Sequence, residues 1–142
     1  MKHRLSRTLR ASNTSWEEYQ LEFKDALQNH LDAITGKNLT AFLSTVQKDN
    51  ISLILPNGKF INDRQEFETF HQNWFSDPDW SMECEILKTV VTSEMSVALL
   101  NVLYKDLDPQ GQPYEKQYYL SLIFQQHDGN WLLVHDQNTF QN

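Results

Sequence analysis

Cysteine is nearly absent. The chain has one, Cys84, so no internal disulfide can form. That suits a reducing compartment, and a cytoplasmic location is expected. Cys84 falls in an alternating pattern and reads as a packed thiol. The histidines, His3, His30, His71, His127 and His135, show no zinc-ligand spacing. Neither a metal nor another cofactor is expected. Glycine and proline are scarce, four of each, which argues against a low-complexity chain. No apolar run approaches the roughly 18 residues of a membrane span, so no membrane partner is expected. Basic residues are short too, 12 against 19 acidic, for a net charge of −7. Four of them, Lys2, Arg4, Arg7 and Arg10, lie in residues 1–15, which hold no acid; the remainder carries eight basic against 19 acidic side chains, or −11. Phosphate recognition needs a basic face, so no nucleic-acid partner is expected. Residues 1–15 read as a flexible basic arm, and they lack the apolar core of a secretory signal. Residues 16–142 read as a single domain.

What is present is globular. Hydrophobic residues make up 39% and aromatics 12%, enough for a core in a chain of 142 residues. Ser15-Trp16-Glu17-Glu18 has the form of a capping box. Trp16, Tyr19, Phe23, Ala26, Leu27, His30 and Ile34 follow at helical spacing, and Gly36 is a natural stop. Asn38 can cap a short second helix through Phe42 and Leu43. Residues 51–55, Ile-Ser-Leu-Ile-Leu, form a brief apolar run ended by Pro56, and Phe60-Ile61 resumes a strand after a turn. Asp63 caps a third helix with Phe67, Phe70, His71, Trp74 and Phe75 on its stripe. From Trp80 the period becomes two. Strands are expected over 80–92, 94–106, 114–126 and 131–140, joined by tight turns into an antiparallel meander. The fold class is α+β, with helices on one face of a curved sheet.

The last hairpin carries the functional question. If Asp128-Gly129 is a two-residue turn, His127 faces Asn130. Continuous pairing then sets Phe124 opposite Leu133, Leu122 opposite His135 and Leu120 opposite Gln137. On this register His135 and Gln137 point beneath the helices. A buried imidazole or amide without a partner costs about 1–3 kcal/mol, so a polar pocket is expected there. His30 on the first helix should face the same space. Tyr104, Tyr118, Trp74 and Trp131 are the aromatic candidates for its wall. The opposite sheet face is half apolar, and a second copy of the chain is expected to cover it.

The helix-loop-helix of residues 26–46, the hairpin and helix of residues 52–75 and the closing Asp128-Gly-Asn-Trp-Leu-Leu-Val-His-Asp-Gln-Asn-Thr139 together resemble the nuclear transport factor 2-like superfamily, in its SnoaL-like branch. The resemblance spans about residues 16–140. It implies a cone-shaped curved antiparallel sheet, cystatin-like, with N-terminal helices on its concave face. It also implies a cavity between the sheet and helices one and three, and homodimers through the outer sheet face. Members include ketosteroid isomerase-like, polyketide cyclase-like and dehydratase enzymes, a kinase association domain, and proteins without chemistry. Isomerase-like members carry an acid just before the hairpin proline. Here that residue is Leu55, which cannot abstract a proton, and His30 stands where those enzymes place a helix-one tyrosine. The adjacent His135 and Asp136 match the dehydratase pair in print, but neighbouring strand residues point to opposite faces.

The expected function is binding of a small, largely apolar or aromatic molecule in the cavity, anchored by His135, Gln137 and His30. An isomerase, cyclase or dehydratase with His135 as catalytic acid/base is the enzymatic alternative. A non-catalytic dimerisation module is the third.

Overall fold

The computed structural model describes residues 15–142. The expected basic arm therefore lies outside the described residues, apart from Ser15. Helix α1, Trp16–Thr35, starts as its sequence requires. The Ser15 hydroxyl accepts the Glu18 N–H at 3.2 Å, and the Glu18 carboxylate accepts the Ser15 N–H at 3.4 Å. The buried stripe is Phe23, Leu27, His30, Leu31, Ala33 and Ile34. Its end differs from the expectation. Gly36 keeps a helical φ of −86°, and Lys37 takes the left-handed conformation at φ 54°. The Lys37 N–H bonds the Ile34 carbonyl and the Asn38 N–H bonds that of Ala33, a Schellman closure. A side chain in this conformation costs about 1–2 kcal/mol. Lys37 offsets it through its tip, which donates to the Asp77 carbonyl at 2.7 Å and lies 4.2 Å over the Trp80 ring.

Asn38 caps α2, Leu39–Leu43, and Asp63 caps α3, Arg64–Phe75. Between them β1, Ser52–Ile54, and β2, Phe60–Ile61, form a short antiparallel hairpin. The expected meander follows: β3, Ser81–Val91; β4, Met95–Leu107; β5, Pro113–His127; and β6, Asn130–Phe140. The sheet runs β2-β1-β6-β5-β4-β3. It is curved and unclosed, and the helices pack on its concave face around Phe23, Phe42, Phe67, Leu100, Leu122, Phe124 and Leu133. This is the expected α+β cone. The sequence did not reveal that β1 joins β6 in parallel, with Leu53 beside Asp136.

The β5–β6 hairpin corrects the expected register. Asp128 and Gly129, at φ 50° and 81°, make the two-residue turn, and His127–Asn130 and Phe124–Leu133 pair as expected. One residue, Val134, then bulges out of the ladder. His135 pairs with Ile123, Asp136 with Leu122, and Asn138 with Leu120. Because side chains alternate, one extra residue exchanges the two faces for the rest of the strand. His135 and Gln137 turn to the outer face, while Asp136 and Asn138 turn inward. The bulge falls where β6 changes its second neighbour. Leu133 bonds the backbones of Thr45 and Gln47, and His135 to Gln137 then pair with β1.

The turn supplies a test. Gly129→Ala forces an alanine into left-handed backbone and should cost about 1–2 kcal/mol, read as a lower urea midpoint at unchanged slope. Asp128→Gly, which relieves the same strain next door, should not lower the midpoint.

Candidate functional site

A cavity of about 270 Å³ opens between the concave face of the sheet, α3 and the end of α1. Ile34, Leu53, Phe70 and Leu120 give it apolar walls, and Leu55 lines it beside Pro56. Polar groups reach it from three elements. From β6, Asp136 is 6% exposed, and Asn138 lies two residues on along the same face. The Asn138 amide donates to Asp136 Oδ1 and to the Ile54 carbonyl, both at 3.0 Å. Asn138 is thus fixed between β1 and the carboxyl. Burial raises the Asp136 pKa to about 7, and the Asn138 hydrogen bond opposes the shift only in part. This carboxyl can hold or release a proton near neutrality.

From α3 comes His71, 3% exposed. Its Nδ1 lies 2.8 Å from the Phe67 carbonyl, which can only accept, so the proton is on Nδ1 and Nε2 is left as an acceptor. Burial lowers its pKa to about 4, with the Phe67 bond acting the other way. The imidazole is neutral at physiological pH. From β5 comes Tyr118, whose hydroxyl has, among the described residues, only the Met82 sulfur as a hydrogen-bond partner, at 3.8 Å. Burial raises the Tyr118 pKa, and the nearby Asp136 charge raises it further.

Aromatic rings frame the side of the cavity. Trp74 stacks on Trp80 with centroids 4.2 Å apart, and the Trp80 N–H donates to the Trp74 carbonyl at 2.7 Å. Tyr104 accepts from the Trp74 indole at 3.4 Å and donates to Asp106 Oδ2 at 2.7 Å. Burial and then the Asp106 hydrogen bond raise the Tyr104 pKa. Both tyrosines are therefore un-ionised donors or acceptors, not bases.

Of the residues singled out in the sequence, Tyr104, Tyr118 and Trp74 line this cavity. His30 does not line it. It is fully buried behind the wall, its Nδ1 2.7 Å from the Thr45 hydroxyl, which donates onward to the Phe42 carbonyl. Burial first, and His71 second, lower its pKa to about 3. Trp131 packs edge-on to Phe23 in the core. His135 and Gln137 are on the outer face. There the Ser52 hydroxyl meets His135 Nδ1 at 2.7 Å, and His135 Nε2 meets Gln137 Oε1 at 3.3 Å. The sequence reading missed Asp136, Asn138 and His71 as cavity residues. The available signal was Trp131-Leu132-Leu133-Val134, four consecutive apolar residues that break the alternation. Among the described residues no three His, Cys, Asp or Glu side chains converge as a metal site. No described helix is long and apolar enough to cross a membrane.

A six-stranded open cone with helices over its concave face and a cavity beneath them defines a nuclear transport factor 2-like protein. The chain belongs to the SnoaL-like domain family, whose model matches residues 24–140. Solved structures share the fold at low identity. A ketosteroid isomerase-like protein from Erwinia carotovora atroseptica is 15% identical, with a TM-score of 0.74, over 90% of this chain and 99% of that one. A nuclear transport factor 2-like superfamily protein from Salmonella enterica is 13% identical, with a TM-score of 0.74, over 90% and 94%. The association domain of C. elegans CaMKII is 19% identical, with a TM-score of 0.63, over 84% and 94%. No curated protein matches the chain.

The buried ionisable groups set a pH profile for stability. Between about pH 4 and 7 the folded state keeps a proton on Asp136 that the unfolded chain has released, so this group's contribution falls as pH rises. His30 and His71 act oppositely. Their folded pKa values lie below the ordinary 6.5, so they withdraw stability as pH drops from about 6.5 towards 4. Asp136→Asn should therefore gain over the parent protein by more at pH 8 than at pH 5, by a few kcal/mol, in urea denaturation at the two pH values.

Proposed function

We propose that the cavity binds a small, planar, largely apolar molecule whose hydroxyl or carbonyl meets Asp136 and Tyr118 on its polar side. The observation that carries this reading is a carboxyl with no cationic partner among the described residues, set in an apolar cavity beside an under-satisfied phenol. Such a carboxyl is a donor when protonated and an acceptor when not, so it can serve either ligand group. The volume lies just under the range of drug-sized pockets, which points to one or two rings. Naphthol is a suitable probe, with Trp74 and Trp80 fluorescence as the readout. Asp136→Leu should weaken naphthol binding about tenfold or more, and His135→Ala should leave it unchanged. Equal affinity in Asp136→Leu would remove Asp136 from the site.

An acid–base enzyme is the second reading, favoured by the pairing of Asp136 with His71. Both line one cavity, one able to donate a proton near neutrality and the other holding a bare Nε2 as acceptor. That division of roles suits proton transfer at a carbon beside a carbonyl, or loss of water from a hydroxylated ring. The family and the isomerase-like neighbour are consistent with such chemistry. The role expected of His135 passes to Asp136 in this reading.

The outer face supports a homodimer. Val97 and Tyr119 are 37% and 44% exposed there, beside Ile123, Leu99 and the Ser52–His135–Gln137 group. A second copy of this face would bury these side chains. The Val97→Asp, Tyr119→Asp double variant should sediment as a monomer while the parent sediments as a dimer. A monomeric parent would overturn the assembly.

A further inference from the structure

Among the described residues, Lys116 is the single lysine or arginine that lines the cavity. It stands directly across from Tyr104 on neighbouring strands, at the exposed end of the concave face. No described carboxylate lies within ion-pairing distance of it. Lys59, Arg64 and Lys105 each pair with a glutamate, and Lys37 is spent on the Asp77 carbonyl and the Trp80 ring. The nearest acid on the same face in the β4–β5 ladder, Asp106, is occupied on both oxygens, by the Tyr104 hydroxyl and the Leu107 N–H. The Lys116 ammonium turns towards Phe140 and lies 5.7 Å from that ring. A cation left unpaired at the entrance of an apolar cavity, steadied on an aromatic face, is a receptor for one negative charge.

The spacing sets the rest of the ligand. Asp136 pairs with Leu122, six residues of β5 from Lys116, or about 20 Å of strand. A ligand spanning them needs one or two fused rings once the reach of the two side chains and a contact at each end are taken from that length. Asp106, Asp108 and Asp77 surround Tyr114 at the same entrance and raise its pKa after burial does. Against one lysine, that acidic surround disfavours a doubly charged phosphate and leaves room for a single carboxylate.

Resting on the cavity reading above, we propose that the ligand is an aryl carboxylate with a hydroxyl or carbonyl at its far end: the carboxylate meets Lys116 at the mouth, the ring lies against Trp74 and Tyr104, and the far group meets Asp136. Lys116 is then the residue that selects acids over neutral molecules of the same shape.

The test compares naphthol with the hydroxynaphthoate that carries its carboxylate on the opposite ring, at about pH 6, where the Asp136 proton is largely retained. The acid should bind about five- to tenfold more tightly than naphthol to the parent protein, the range of an exposed charge-assisted contact. Lys116→Met should erase that preference without changing naphthol affinity, Lys116→Arg should keep it, and added salt should shrink it. Equal affinity for the two probes, or a preference that survives Lys116→Met, overturns the role of Lys116 and leaves the cavity reading standing. Failure of both probes to bind the parent protein overturns both.

Discussion

The inner surface of the cone depends on the parity of one strand. β6 enters the sheet with Trp131 and Leu133 facing the core, and Val134 then takes a place in the chain without taking a rung in the ladder. Every later residue changes sides. Had the ladder continued evenly, the concave surface would carry His135, Gln137 and Thr139. With the bulge it carries Asp136, Asn138 and Phe140. The change is held from both edges of β6, because the bulge marks the point where its second neighbour passes from the segment at Thr45–Gln47 to β1. A one-residue slip is ruled out while Leu133 must fill the core and Leu53 must lie beside Asp136.

Placing a carboxyl there has an electrostatic consequence that packing alone would not select. Among the described residues Asp136 has one side-chain donor, Asn138, and no cation, so burial dominates and its proton is retained towards neutral pH. His30 and His71, both in ring contact with Phe42, are driven the other way and stay neutral. The interior therefore holds an acid that keeps its proton and imidazoles that refuse one. Each deviates from its ordinary ionisation at the expense of stability, over overlapping pH ranges and with opposite slopes. His30 spends its Nδ1 proton on Thr45 and belongs to the core. His71 spends its own on the α3 backbone and lines the cavity, so the two imidazoles, each bonded at Nδ1, differ in role through access to the cavity.

Much of the architecture was legible because it rests on local signals. The capping box at Ser15, the caps at Asn38 and Asp63 and the Asp128-Gly129 turn each act within a few residues and appear where the sequence implied, and the helical stripes follow except that Trp16 is exposed. The α+β cone follows from their order. The inward face of the last strand was not legible, because a bulge answers to partners distant in sequence: Thr45, Gln47 and β1 are about 80 residues from the rungs they constrain. The α1 terminus shows the same limit on a smaller scale. Gly36 is the residue that local rules choose for left-handed backbone, yet Lys37 takes it, held by Asp77 and Trp80, some 40 residues away.

Three of the four aromatic candidates, Tyr104, Tyr118 and Trp74, line the cavity despite this change of register, and the reason is geometric. Tyr104 and Tyr118 lie on β4 and β5, whose pairing runs unbroken from Met95–Gln125 to Leu107–Pro113, so simple alternation assigns their face correctly. Trp74 lies on a helix whose stripe is fixed by its own period. His135 and Gln137 lie beyond the bulge, and alternation misassigns both together. The same step that removes them from the interior sets them beside Ser52 and Ile123 on the outer face, where both nitrogens of the imidazole are bonded. One inserted residue thus supplies the cavity with its carboxyl and the outer face with its histidine, and any change in the β5–β6 register must alter both surfaces at once.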